Sequence, residues 1–263
     1  EASRMGGSQV YLDPKEQFSV DELLYALMIQ SANDAAVALA IHVSGSKEGF
    51  VALMNQRAAE LGMKNTQFFS VHGLPPSEGQ KVAQSTAVDL SLLSRELARK
   101  EEAFRYTGTR ERAFRDGEFM MRTHNHLLKS IDGCDGFKTG YFKAAGFSIV
   151  ATAKRNGVRI IALVLGSADR KVRDAKASEL LAQGFAKVPP QPKKTVEKSN
   201  TETATAPVET KTDSPVKQAR KPALLTINNG LIFAAGVACG VILCALLAVF
   251  RTGNRSRKHR RFS

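Results

Sequence analysis

Apolar residues recur with helical spacing over residues 20–29, and Ser19 followed three positions later by Glu22 is a capping box that marks where this helix begins. The run breaks at Gln30-Ser31-Ala32-Asn33-Asp34, a polar interruption that packing alone gives no reason for. Helical spacing resumes over 35–43 and stops at Gly45. A third helix over 48–61 places Phe50, Leu53, Met54 and Leu61 near one face and ends at Gly62, a left-handed cap. Ser31 therefore falls at a break between two helices of an all-helical lobe.

Residues 63–85 read as loop, with His72-Gly73-Leu74-Pro75-Pro76 as the strongest turn signal. A helix over 86–99 follows, carrying Leu90, Leu93 and Leu97 on one side. The stretches 110–114 and 118–122 flank Arg115-Asp116-Gly117 as a hairpin. The period then changes: 146–154 and 158–166 are rich in Val and Ile and are joined through Asn156-Gly157, a strong hairpin signal. Ile160, Ile161, Leu163, Val164 and Leu165 are apolar at both parities, so this sheet should be covered on both faces. A helix over 169–185 is long enough to cover one of them. Lys138-Thr139-Gly140, just before the hairpin, belongs on a neighbouring strand. The fold class is α+β, a helical lobe beside an antiparallel sheet with flanking helices.

The pattern changes again beyond residue 188. Residues 189–230 are rich in Pro, Thr and Lys with few large apolar side chains, and read as a flexible linker. Residues 231–250 contain no charge, and at about 1.5 Å per residue twenty of them span the roughly 30 Å hydrocarbon core of a bilayer. The formal charge of +13 acquires meaning only beside this run. Residues 1–188 hold 25 Lys+Arg against 21 Asp+Glu, and residues 251–263 hold 6 against none. A basic tail directly after an apolar span favours a lipid bilayer as partner over nucleic acid and puts the C-terminus on the cytoplasmic side. The domain at 1–188 is then extracytoplasmic, on the periplasmic or cell-wall side. The chain opens on Glu1-Ala2-Ser3-Arg4 without Met or a signal pattern, so an N-terminal part is expected to have been cut away. Cys239 and Cys244 lie in the apolar run, which leaves Cys134 alone in the domain and no intrachain disulfide there.

Ser31-x-Asn33 between two helices and Lys138-Thr139-Gly140 before a sheet hairpin are the contexts of penicillin-binding proteins and serine β-lactamases. The likeness extends to LMIQSANDAA at 27–36, NQRAAELGMKNT at 55–66, His72-Gly73-Leu74-Pro75 and Asp135-Gly136-Phe137-Lys138-Thr139-Gly140. Over about residues 1–188 the chain resembles the low-molecular-mass D-alanyl-D-alanine carboxypeptidases, penicillin-binding serine peptidases of the S11 family. The resemblance implies a five-stranded antiparallel sheet beside the helical lobe, peptidoglycan stem peptides ending in D-Ala-D-Ala as substrate, and β-lactam antibiotics as inhibitors. It implies no cofactor and no metal. Ser31 matches a serine that relays a proton, and Asn33 a residue that hydrogen-bonds the substrate. Lys138 matches a cation of the site. Thr139 matches a ligand of the substrate carboxylate, Gly140 allows close backbone approach, and the Tyr141 backbone N–H matches one oxyanion donor.

In that family Ser-x-x-Lys, carrying nucleophile and base, precedes Ser-x-Asn. None of the thirty residues before Ser31 forms it. The later matches, Ser44-Gly45-Ser46-Lys47 and Ser214-Pro215-Val216-Lys217, stand in the wrong order or in the linker. The chain as given is therefore expected to be inactive. Alternatives are a non-catalytic cell-wall-binding or sensing module and a β-lactamase. His124 and His126 lack a third metal ligand at a recognisable spacing and read as loop hydrogen-bonding residues. His72 reads as a turn residue bordering the site, and Cys134 as a small buried side chain.

Overall fold

The capping box forms as expected in the computed structural model, which describes residues 1–74 and 81–190. Ser19 Oγ accepts the Glu22 N–H at 3.1 Å, and the Glu22 carboxylate accepts the Ser19 N–H at 2.9 Å, opening α1 (Val20–Tyr25). The second half of the expected helix differs, because Ala26–Gln30 widen into a π-helical turn. All residues from Leu23 to Ile29 are buried. With no solvent-facing side, this stretch has no polar period that could register the wider turn.

Helix α2 (Asn33–Ser44) ends on left-handed Gly45, and α3 (Lys47–Glu60) starts on Ser46, whose hydroxyl accepts the Gly49 N–H. Phe50, Met54 and Ala58 form its buried edge at four-residue spacing, while Leu53, expected on that face, is 40% exposed. A stripe of i, i+4 positions is narrow, and residue i+3 lies off its side. Helix α4 (Ala87–Leu97) is capped by Thr86 and buries Leu90, Leu93 and Leu97 as expected. Two helices were not foreseen, α5 (Glu101–Thr107) and α6 (Leu127–Ser130). Both are too short for a periodic pattern to show.

Strands β1 (Glu111–Phe114) and β2 (Phe119–Arg122) form the expected small hairpin, turning through Arg115, Asp116 and Gly117, all at positive φ. The Arg115 guanidinium reaches back to the carbonyls of Val10 and Tyr11 and to Glu16, tying the N-terminal segment down. The main sheet runs β3-β4-β5, all antiparallel, with β3 spanning Cys134–Phe142, β4 Gly146–Arg155 and β5 Val158–Ser167. Asn156 and Gly157 join β4 to β5 at φ 47° and 77°, the left-handed pair a tight hairpin needs. Ile149, Ala151 and Ala153 of β4 pack with Ala177 and Leu181 of α7 (Arg170–Lys187), while Val150 and Phe137 join the core of the helical lobe. Both faces of the sheet are covered, as the apolar content of β5 requires.

Among the described residues this sheet has three strands where the resemblance implies five. Only three long strand-forming runs occur there; the β1–β2 ribbon stands apart as its own sheet. No single helix among the described residues is long and apolar enough to cross a membrane. The expected span and basic tail, and nearly all of the linker, lie outside the described residues.

Candidate active site

Ser31 owes its position to the π-helical turn. It ends that turn at φ 60°, ψ 37°, a left-handed conformation that costs a residue with a Cβ about 1–2 kcal/mol. The chain then re-enters a helix at Asn33. Strain of this kind persists only where surrounding contacts impose it. They do so here: the Asn33 N–H donates to Ser8 O at 2.8 Å, and Asn33 Nδ2 donates to Gly6 O at 2.8 Å.

Asp34 completes the anchorage. Its carboxylate has no solvent exposure and accepts the N–H groups of Val10 (3.2 Å), Leu12 (3.1 Å) and Ala35 (2.9 Å). The segment from Gly6 to Leu12 is thereby strapped along the start of α2. Gly7 is confined by this strap: it has φ 74°, and a Cβ there would sit 2.7 Å from Asn33 Nδ2.

The second wall is β3, an edge strand that pairs only with β4 among the described residues. Lys138 is 3% exposed, and its ammonium donates to Ser31 Oγ at 2.8 Å and to Thr139 O at 3.0 Å. Residues 107 positions apart in the sequence therefore meet in one hydrogen bond. Thr139 is also buried, whereas Tyr141 is exposed and stacks its ring on Phe147 across the ladder, centroids 4.2 Å apart.

Between these walls lies a cleft of about 350 Å³. Ser31, Asn33, Thr139, Gly140 and Tyr141 all line it, and Lys138 reaches it through Ser31. The structure thus brings together every residue singled out from the two motifs. His72 borders the cleft as expected. Its Nδ1 accepts the Leu74 N–H at 3.1 Å, which leaves the proton of the neutral ring on Nε2. Burial, and then the charge of Lys47, lower its pKa.

Two cleft residues, Arg170 and Arg173, carried no recognisable signal in the sequence, and a third was passed over. His124, read as a loop hydrogen-bonding residue, instead stands in the cleft wall with no hydrogen-bond partner for its ring among the described residues. Arg170 and Arg173 enter from the first turn of α7. Arg173 is 2% exposed and bonded to Asp174. A basic pair at the start of a surface helix looks like solvated charge until the sheet is folded against it.

Ser44 and Lys47 are not arranged as nucleophile and base. Ser44 Oγ lies 2.8 Å from the carbonyls of Ala40 and Ser46, and Lys47 Nζ pairs with Glu1 at 2.7 Å. Neither residue lines the cleft. Cys134 is partly buried, and burial raises its thiol pKa, the opposite of an activated nucleophile.

Residues 1–169 match the D-alanyl-D-alanine carboxypeptidase family of S11 peptidases. The D-alanyl-D-alanine carboxypeptidase DacF of Bacillus subtilis is 40% identical over 194 residues, covering 73% of this chain and 49% of that protein. DacC of Escherichia coli is 39% identical over 181 residues, covering 68% and 44%. The chain spans about half the length of these relatives. Penicillin-binding protein 6B of Escherichia coli has the same fold with a TM-score of 0.63 at 35% identity, over 68% of this chain and 55% of that one. Penicillin-binding protein D2 of Listeria monocytogenes, in its ampicillin-bound form, superposes with a TM-score of 0.62 at 34% identity, over 69% and 74%. With its two motifs folded into one cleft and this likeness across most of its length, the chain belongs to the D-alanyl-D-alanine carboxypeptidase family of penicillin-binding serine peptidases.

Proposed function

We propose that the protein serves as a penicillin-sensitive serine D-Ala-D-Ala carboxypeptidase that trims peptidoglycan stem peptides, and that its nucleophile comes from a Ser-x-x-Lys segment outside these 263 residues. The observation that carries this reading is the 2.8 Å bond from Lys138 Nζ to Ser31 Oγ, which joins the two motifs across one cleft.

The chemistry follows from what each group can donate. A serine hydroxyl attacks the carbonyl between the two D-Ala residues, an acyl-enzyme forms, and the departing amine of D-Ala takes a proton. Lys138 already donates to Ser31 Oγ, so the Ser31 hydroxyl hydrogen is directed elsewhere and made more acidic by the adjacent ammonium. Ser31 is thereby suited to pass a proton to the leaving amine. Asn33 uses one N–H on Gly6 O, and its amide group has further donor and acceptor capacity for the substrate backbone. The open edge of β3 receives the peptide as an added strand. Gly140 permits that approach, the Tyr141 N–H supplies an oxyanion donor, and the Thr139 hydroxyl with the Lys138 charge holds the terminal carboxylate. β-Lactams, which acylate the same serine, enter by the same contacts.

The Ser44–Lys47 match does not supply the nucleophile and base, because Ser44 and Lys47 are spent on backbone carbonyls and on Glu1. Residues 231–250 anchor the protein in the cytoplasmic membrane with residues 251–263 inside, and the linker lets the domain reach the wall. The same cleft would also serve a second reading, a wall-binding module that keeps the contacts without the reaction. A form extended with a family Ser-x-x-Lys segment ahead of Ser31 separates the two. It should release D-Ala from a D-Ala-D-Ala pentapeptide, measured as free D-Ala; binding of that peptide without release would favour the module.

A further inference from the structure

Among the described residues, those lining the cleft include Arg170, Arg173, His72 and His124 and no carboxylate. The nearest acid on α7, Asp174, is bonded to the Arg173 guanidinium at 2.6 Å. His124 meets this positive field from several elements. Lys138 acts on it from β3, Arg170 and Arg173 from α7, and His126 from its own loop, while His72 lines the same cleft from the loop before residue 75. The turn that carries it is fixed on its C-terminal side, where the Asn125 N–H donates to Thr123 Oγ1 and Asn125 Oδ1 accepts the Leu127 N–H. The ring itself has no hydrogen-bond partner among the described residues. It is a held, unengaged imidazole in an anion-seeking cleft.

We propose that His124 is where the cleft takes up a proton as it binds a carboxylate, so that an imidazolium absent from the empty cleft holds the ligand's charged end. The inference rests on the functional reading above, in which that ligand is a peptide ending in D-Ala.

In the empty cleft the His124 pKa is lowered to about 4, by desolvation and then by the charges of Lys138, His126, Arg173 and Arg170. The ring is exposed at the cleft mouth, so water weakens the desolvation, and the surrounding cations are the cause the geometry supports directly. Near neutral pH the ring is neutral. An arriving carboxylate cancels part of the repulsion and offers the protonated ring a charge-assisted hydrogen bond, both of which favour imidazolium. The bound pKa is then higher than the free one.

Linkage sets the sign. A ligand that raises the pKa binds more tightly to the protonated protein, so affinity is greatest at low pH and falls as pH rises through the bound pKa. The fall is at most about tenfold per pH unit for one proton. The peptide carboxylate, with a pKa of roughly 3.5, stays ionised throughout and does not contribute. A peptide ending in an amide offers no charge and draws no proton. The device therefore discriminates against chain ends that lack a carboxylate.

The test is isothermal titration calorimetry of the full chain in detergent, in buffers of different ionisation enthalpy, at about pH 6 where an ordinary histidine titrates. The probes are an acetylated tripeptide ending in D-Ala-D-Ala and its C-terminal amide. The wild-type chain should show net proton uptake with the free acid and none with the amide. His124→Arg should bind the acid without proton uptake and with little pH dependence, and His126→Gln should still take up a proton with the acid. The His124 ring proton resonance of the wild-type chain should move to the imidazolium position on adding the acid, a readout that needs no variant. Binding of the acid with no uptake, or uptake that survives in His124→Arg, would overturn the inference and leave the functional reading standing. Failure of the wild-type chain to bind the acid at any pH would instead remove both.

Discussion

Replacing Lys138 with Ala, in a form of the protein that carries Ser-x-x-Lys ahead of Ser31, should slow acylation by penicillin on the order of 10²–10³-fold. The size follows from position. Lys138 is 3% exposed, so its charge acts through little water, and its ammonium is the group that polarises Ser31. Removing it leaves Ser31 Oγ without its donor and the site without a buried cation. The rate is read from the growth of a fluorescent penicilloyl band, with circular dichroism to check that the variant folds. Acylation at the wild-type rate would remove Lys138 from the site.

The second large effect is on stability and comes from outside the two motifs. Asp34→Ala should lower the unfolding free energy by roughly 3–5 kcal/mol, since a fully buried carboxylate that satisfies three backbone N–H groups would be lost. The N–H groups of Val10 and Leu12 would stay buried without partners, and the strap from Gly6 to Leu12 would loosen. Because Gly7 and Ser8 line the cleft, the same variant should weaken peptide binding. Urea unfolding followed by circular dichroism measures the first effect. A change under about 1 kcal/mol, the size of an ordinary surface substitution, would mean that the strap is held by other contacts.

What could be read in advance depended on whether the deciding interaction was local. The Ser19–Glu22 box, the Asn156-Gly157 turn, the Thr86-capped helix and the strand bearing Lys138-Thr139-Gly140 are each specified by residues a few positions apart, and each formed as expected. The π turn that aims Ser31 was hidden because its flanks are buried on every side. Leu53 was misplaced because three-residue and four-residue spacing look alike in sequence, while only the latter follows the narrow contact made by α3. In the site, Ser31 and Lys138 stood out as motif residues. Arg173 and His124 did not, because their meeting depends on α7 folding back along β4 and β5 and on a turn held by Asn125. Asp34 lay in plain view beside Asn33, yet its role became visible only when the N-terminal strap was seen lying over it.

On the proposed function, the cleft between Ser31 and Lys138 belongs to an acyl-enzyme machine whose nucleophile lies outside these 263 residues. Mass spectrometry after incubation with penicillin decides this by comparing the chain with the form extended by a family Ser-x-x-Lys segment. No adduct should form on the chain itself, and the extended form should carry a single penicilloyl group on the serine of that segment. A penicilloyl group on Ser31 or Ser44 of the unextended chain would rule out a nucleophile outside these residues.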